Sequence, residues 1–342
     1  MLLTQVLGAI ALTATTAFAQ GLPVSPVYQF ANSFSGVGYV NIENVAVRST
    51  NNDLLLNFVT GAEMTELNPD NPQPQLLVNI SAAYSGAPGS LTGIAEYQTD
   101  KYAVAAGRFQ FGPQVAGGVA GIAGSFSVWS VDLTGKQAVA TQVVAIPEAG
   151  LLNGVAKVPC EGNVVVVADS AVGAIWRVDL DSGKYENVLQ NALFLPGNGV
   201  NFGINGVKFG DKNLYFTNSA QGLFGAVPFS YDGYPSGDIQ ILAKAPAGAN
   251  FDDFTLAKSG NAYVAAEPSY VYKVPLAGGD PSLVANSTLL NGPTSCVLRD
   301  DSLYVVTMGV GGGPMGPVSG GVFRVDVNDQ AYQAGGWKQW RA

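Results

Sequence analysis

The sequence predicts an all-β fold, a six-bladed β-propeller closed by an N-terminal strand. Three observations carry the prediction. Short apolar strands recur with a period of about 50 residues, as propeller blades do. Gly is 43 of 342 residues and charged residues are only 12%, a composition of strands and tight turns rather than helices. Finally, no Pro- or Gly-rich stretch is placed so as to split the chain into two domains.

Six repeats follow one another. Each opens on a polar residue, runs into a short apolar strand, turns, and returns as a second apolar strand. The openings are Glu43, Thr92, Asn153, Asn205, Asp253 and the Pro293-Thr294 pair. Third strands are legible at Gly173–Leu180, Tyr270–Leu276 and Gly321–Val327, and fourth strands at Tyr185–Leu189 and Ile239–Ala243. Val27–Ser33 precedes the first repeat without a blade of its own, so it is expected to pair into the last blade and lock the ring. Pro69–Pro74, Ala116–Gly124 and Gly309–Gly321 read as loops.

The N-terminus reads as a secretory signal. Leu2–Ala19 is apolar and uncharged, and Ala17-Phe18-Ala19 is a small-x-small cleavage pattern. Residues 1–19 are therefore expected to be a signal peptide, with 20–342 forming the single propeller domain in the secretory pathway. Asn79 (N-I-S) and Asn286 (N-S-T) are candidate glycosylation sites, hence surface positions. Cys160 and Cys296 are open to two readings, one disulfide or two free thiols.

Composition excludes several functions. There is no histidine, which removes Ser-His-Asp and Cys-His triads and His-based zinc sites. A formal net charge of −9, without a basic patch or tail, argues against nucleic acid and anionic membranes as partners. Small-molecule substrates remain.

In a propeller, the first strand of each blade lines the central channel, so the repeat openings converge on one mouth. Glu43, Asn153, Asn205 and Asp253 would put two carboxylates and two amides there, with Thr92 and Thr294 completing the circle. An all-oxygen cluster suits a hard cation such as Ca²⁺, and without one the carboxylates repel and a pKa rises. Each residue alone also fits ordinary turn chemistry. Phe202, Phe251, Phe254 and Trp129 could wall a pocket or fill the core.

On these residues the chain resembles the SMP-30/gluconolactonase family over nearly its whole mature length. The resemblance implies a divalent-metal site at Glu43, Asn205 and Asp253, and a substrate-facing Asn153. Gly260–Ala265 (G-N-A-Y-V-A) and Asp169–Val178 (D-S-A-V-G-A-I-W-R-V) are similar to that family's blade strands. The family's E-G-P is Glu43-Asn44-Val45 here, and its P-D-G falls on Asp252-Asp253-Phe254. Asn44 could thus turn the site into a hydrogen-bonding pocket.

The segments Glu43–Arg48 (E-N-V-A-V-R), Gly93–Glu96 (G-I-A-E) and Asn291–Ser295 (N-G-P-T-S) resemble a fungal secreted branch. That branch includes hetero-Diels–Alderases of tropolone–sesquiterpene biosynthesis. Three functions follow as expectations. The first is a cycloaddition enzyme needing no cofactor, with Asn153, Asn205, Asp253 and Glu43 as catalytic residues. Asn44, Glu96, Phe202, Phe251 and Thr294 would contact the substrate. The second is a metal-dependent lactonase with Asp253 or Glu96 as base. The third is a non-catalytic binding propeller.

Overall fold

The computed structural model describes residues 21–31, 40–84, 89–111, 119–197, 199–313 and 316–332. The expected signal peptide lies outside them, as do parts of the Val27–Ser33, Ala116–Gly124 and Gly309–Gly321 segments.

Six four-stranded antiparallel blades are arranged around one axis. Their innermost strands are Ile42–Val47, Gly89–Gln98, Leu152–Lys157, Ile204–Gly210, Asn250–Leu256 and Pro293–Arg299, for blades 1 to 6. Each innermost strand packs on the next, and Pro293–Arg299 returns to Ile42–Val47. The outermost strand of blade 6 is Ser25–Gln29, paired antiparallel with Gly321–Asp326, so that blade uses both ends of the described chain. The strand begins two residues earlier than the sequence suggested.

The core lies between blades. Alternate residues of each strand point to opposite faces, and six apolar clusters fill the six gaps between neighbouring blades. In blade 3, Val165 and Val167 face blade 2, while Val164, Val166 and Ala168 face blade 4. Such strands are buried on both faces and read as unbroken apolar runs.

Two segments expected to be loops contain strands. Val119–Gly121 pairs with the upper end of Lys101–Phe111, the second strand of blade 2. Gly309–Gly313 pairs with Gly316–Ser319. Both are Gly-rich, and Gly content hid the strand signal. Both cysteines are free thiols. Cys296 is buried on the innermost strand of blade 6, where desolvation pushes its thiol pKa up.

Candidate functional site

All six innermost strands carry one extra residue near their upper end. The register jumps between Ile42 and Asn44, Leu91 and Ile94, Leu152 and Val155, Ile204 and Val207, Phe251 and Phe254, and Pro293 and Ser295. Such a bulge turns a side chain out of the normal alternation. Aligned on these jumps, the first bulged residues are Glu43, Thr92, Asn153, Asn205, Asp252 and Thr294. They form one ring at the channel mouth.

This register corrects the sequence alignment in blade 5. Asp252, not Asp253, occupies the position of Asn205 and Asn153. Asp253 takes the place of Gly93, Gly154 and Gly206, one layer below. Those glycines exist for close approach. A Cβ on Gly93 would sit 2.3 Å from the Asn153 carbonyl oxygen, and one on Gly154 2.4 Å from that of Asn205. The Asn-Gly dipeptides are thus inner-strand contacts between blades rather than turns. In the layer of Gly206, a Cβ would meet the Asp253 carboxylate at 2.1 Å.

Below the ring, Asp253 is fully engaged. Its carboxylate accepts from Lys208 Nζ at 2.8 and 2.9 Å, from Asn44 Nδ2 at 2.8 Å and from the Phe254 amide at 2.7 Å. Asn44 Oδ1 accepts in turn from the Val45 amide and the Ser295 hydroxyl. Asn44 and Asp253 are therefore a buried network joining blades 4, 5, 6 and 1.

Within the ring, members differ. Thr92 and Thr294 donate to the carbonyl oxygens of Leu152 and Ile42 on the following blades, at 3.0 and 2.7 Å. Their hydroxyls stitch blades together. Asn205 Nδ2 donates to Ser219 Oγ at 3.0 Å. Asn153 is 1% exposed, and neither its Nδ2 nor its Oδ1 has a partner; Asp252 Oδ1 is likewise buried and unpartnered. Native structures rarely leave buried polar groups unpaired, so each such atom calls for an explanation.

Acid groups crowd this mouth. Burial raises Glu43 to about 8, helped by repulsion from Asp253 and Glu267. Burial also drives Asp252 well above the carboxylate range, reinforced by Glu43, Glu267 and Asp253 and opposed by the Asn205 amide. Glu267, at the upper end of blade 5's second strand, is raised by burial as well. Asp252 and Glu267 escaped the sequence reading. The first was masked by its Asp neighbour, and the second has no repeat signature.

Other expected contacts lie elsewhere. Glu96 sits at the far end of its strand, where its carboxylate accepts from Ser49 Oγ and the Asp100 amide and caps a turn. Phe251 and Phe254 are core residues between blades 4 and 5, because the bulge between them returns Phe254 to the face of Phe251. Trp129 is core between blades 1 and 2. Phe202 is partly buried against the cluster between blades 2 and 3, as is Val119. Asn201, the residue before Phe202, donates to the Val119 carbonyl at 2.9 Å, which ties the Val119–Gly121 strand of blade 2 to the segment leading into blade 4. Asn79 and Asn286 are exposed on the outermost strands of blades 1 and 5.

Among the described residues, no three Asp, Glu, Cys or His side chains are grouped to hold a metal ion. The donor set at the mouth is instead two carboxylates and an amide, Glu43, Asp252 and Asn205. With Asp252 Oδ1 unpartnered, that set fits a hard divalent cation.

No family model matches the chain. A Phoma sp. protein named as a hetero-Diels-Alderase is 25% identical over 297 residues, covering 78% of this chain and 82% of the relative. A second protein so named, from Sarocladium schorii, is 27% identical over 217 residues, covering 57% of this chain and 52% of that relative. This chain thus spans about half the length of the second. Among solved structures, a gluconolactonase of Xanthomonas campestris superposes with a TM-score of 0.60 at 14% identity, over 91% of this chain and 93% of its own. The curated relatives carry an enzyme's name, and the structural likeness establishes the six-bladed propeller.

Proposed function

We propose that the chain is a small-molecule enzyme of the hetero-Diels–Alderase type, joining a quinone-methide-like oxadiene to a terpene alkene. The observation that carries the reading is the Asn153 amide, buried on the innermost strand of blade 3 with both polar atoms unpartnered. The names of the two relatives support the reaction class. In such a reaction the C=C–C=O unit and the alkene form one C–C and one C–O bond. Three π bonds become one, and no proton is transferred. The protein then has two tasks, orientation of the two reactants and hydrogen bonding to the electron-poor oxygen. Asn153 donates that bond in this reading, and the protein needs no histidine for it.

A cation-assisted hydrolase of the gluconolactonase type is the second reading, favoured by the unpartnered Asp252 Oδ1. Glu43, Asn205 and Asp252 would hold the ion, which when bound polarises a carbonyl and acidifies water. The test is direct. Purified protein is offered an ortho-quinone-methide precursor with a terpene alkene, and separately a lactone, each with and without chelator. A chelator-insensitive, stereochemically pure adduct supports the cycloaddition. Lactone opening that fails with chelator replaces it with the second reading.

The same reading includes entry into the secretory pathway by residues 1–19, glycans on Asn79 and Asn286, and closure of the ring through the strand Ser25–Gln29. It also assigns neither nucleic acid nor membrane as a partner. Among the described residues, no helix is long and apolar enough to cross a membrane.

A further inference from the structure

Of the arginines in the described residues, Arg48, Arg177, Arg299 and Arg324 each lie within 4 Å of a carboxylate, and Arg108 does not. Arg108 is half-buried, and its Nε is wholly buried without a hydrogen-bond partner. Leaving a charged donor in that state is costly, so it is retained for a partner that comes from outside the chain.

Its position gives the partner's address. Arg108 pairs with Gly89, the first residue of blade 2's innermost strand, three residues above the ring residue Thr92. At a rise of about 3.3 Å per residue, it stands roughly 10 Å above the ring. Tyr102, Val104 and Ala106 precede it on the same face and belong to the core between blades 1 and 2, and Arg108 continues that row beyond the core's upper end. The backbone is fixed on both sides. The Arg108 amide donates to Ser125 Oγ at 3.0 Å, and its carbonyl accepts from the Ile122 amide at 2.9 Å. Among the described residues at the upper ends of the two inner strands of every blade, it is the one cation, among the acids Glu43, Asp169, Asp252 and Glu267.

We infer that Arg108 is a substrate-binding residue that takes an oxyanion, or a strongly polarised carbonyl oxygen, on the diene partner. The inference rests on the cycloaddition reading. A guanidinium presents fixed paired donors suited to a carboxylate or to two neighbouring oxygens. During cycloaddition, the alkene donates into the C=C–C=O unit, and electron density accumulates on the carbonyl oxygen while C–C bonding runs ahead of C–O closure. A preorganised cation there lowers the barrier without moving a proton. As the one cation at this mouth among the described residues, the guanidinium also sets which end of the diene enters first.

The experiment compares wild type, R108Q and R108K by melting, by turnover of the diene–alkene pair, and by binding of two simple probes, salicylate and neutral benzyl alcohol. In R108Q, kcat/KM is expected to fall about 100-fold, with melting within about 2 °C of wild type or higher. R108K should recover part of the loss. Salicylate should raise the wild-type melting temperature and leave R108Q unmoved, while benzyl alcohol should not distinguish the two. Equal turnover and equal salicylate binding in R108Q would overturn the inference. If R108Q fails to fold, R108M decides, since it keeps the alkyl stem and loses the charge: undiminished salicylate affinity in R108M then overturns the inference, and a loss of tenfold or more sustains it. Arg108-dependent salicylate binding in a wild type that forms no adduct would remove the cycloaddition reading and leave the anion site standing.

Discussion

Lys208 reaches from blade 4 to Asp253 on blade 5, with its ammonium 2.8 and 2.9 Å from the two carboxylate oxygens. This is the one ion pair between innermost strands among the described residues. The Asp253 side chain is 2% exposed and that of Lys208 29%. Replacing the carboxylate with an amide leaves Lys208 without its anion and sets an amide N–H₂ against the donors of Lys208 and Asn44. D253N is expected to destabilise the fold by about 2–3 kcal/mol, less than for a fully buried pair because Lys208 is partly solvated. Thermal melting checks this. A D253N protein as stable as wild type but inactive would return Asp253 to the chemistry.

Asn153 makes the opposite case. Its amide bonds to nothing among the described residues, so N153A removes no hydrogen bond within them. The expected outcome is unchanged or slightly raised stability with kcat/KM reduced about 100-fold, the usual effect of losing one preorganised donor. Melting and steady-state kinetics on one preparation separate the two effects. A large fall in melting temperature would show that the amide serves the fold.

The contrast between Asn153 and Asp253 shows how far the sequence could be read. Six blades and the polar strand openings were legible because strand periodicity and an approximately 50-residue repeat are properties of local sequence. The ring's membership in blade 5 was not, because Asp252 and Asp253 are chemically identical and only the bulge register tells them apart. Glu96 was misplaced for a related reason: sequence puts it on an inner strand but does not say at which end. Phe251 and Phe254 carry an apolar signal that is the same for a pocket wall and a core. Arg108 could not stand out at all, since its distinction is the lack of a partner in space.

The glycine layer gives a prediction about the fold alone. A Cβ on Gly154 would lie 2.4 Å from the Asn205 carbonyl oxygen and 2.8 Å from the Val207 amide, both backbone atoms of a neighbouring inner strand. Backbone in a closed ring has little room to yield, so G154A should destabilise by about 3 kcal/mol or more, the upper range of overpacking. Gly162 is the control, because a Cβ there meets nothing within 4 Å. G162A should melt with wild type. Equal melting of G154A and wild type would mean that the inner strands are not packed as closely as described.

The carboxylates at the mouth tie stability to pH. Glu43 has a pKa of about 8 in the folded protein against an ordinary 4.5, and Asp252 and Glu267 are raised in the same direction by burial. Between those two values the folded state holds protons that the unfolded state has released. Stability therefore falls as pH rises, by at most about 1.4 kcal/mol per pH unit for each such group. The lowered groups do not obscure this window. Asp132, held at about 2 by hydrogen bonds from Thr134, and Asp100, held down by Arg48, lose their contribution only in acid. The melting temperature should thus decline from pH 5 to pH 8.5. Added Ca²⁺ should restore it at pH 8.5 and do little at pH 5, because a cation stabilises the ionised carboxylates that crowding otherwise disfavours. E43Q should flatten part of the decline. A melting temperature constant across this range would mean that Glu43 is solvated and that the ring does not bring these acids together.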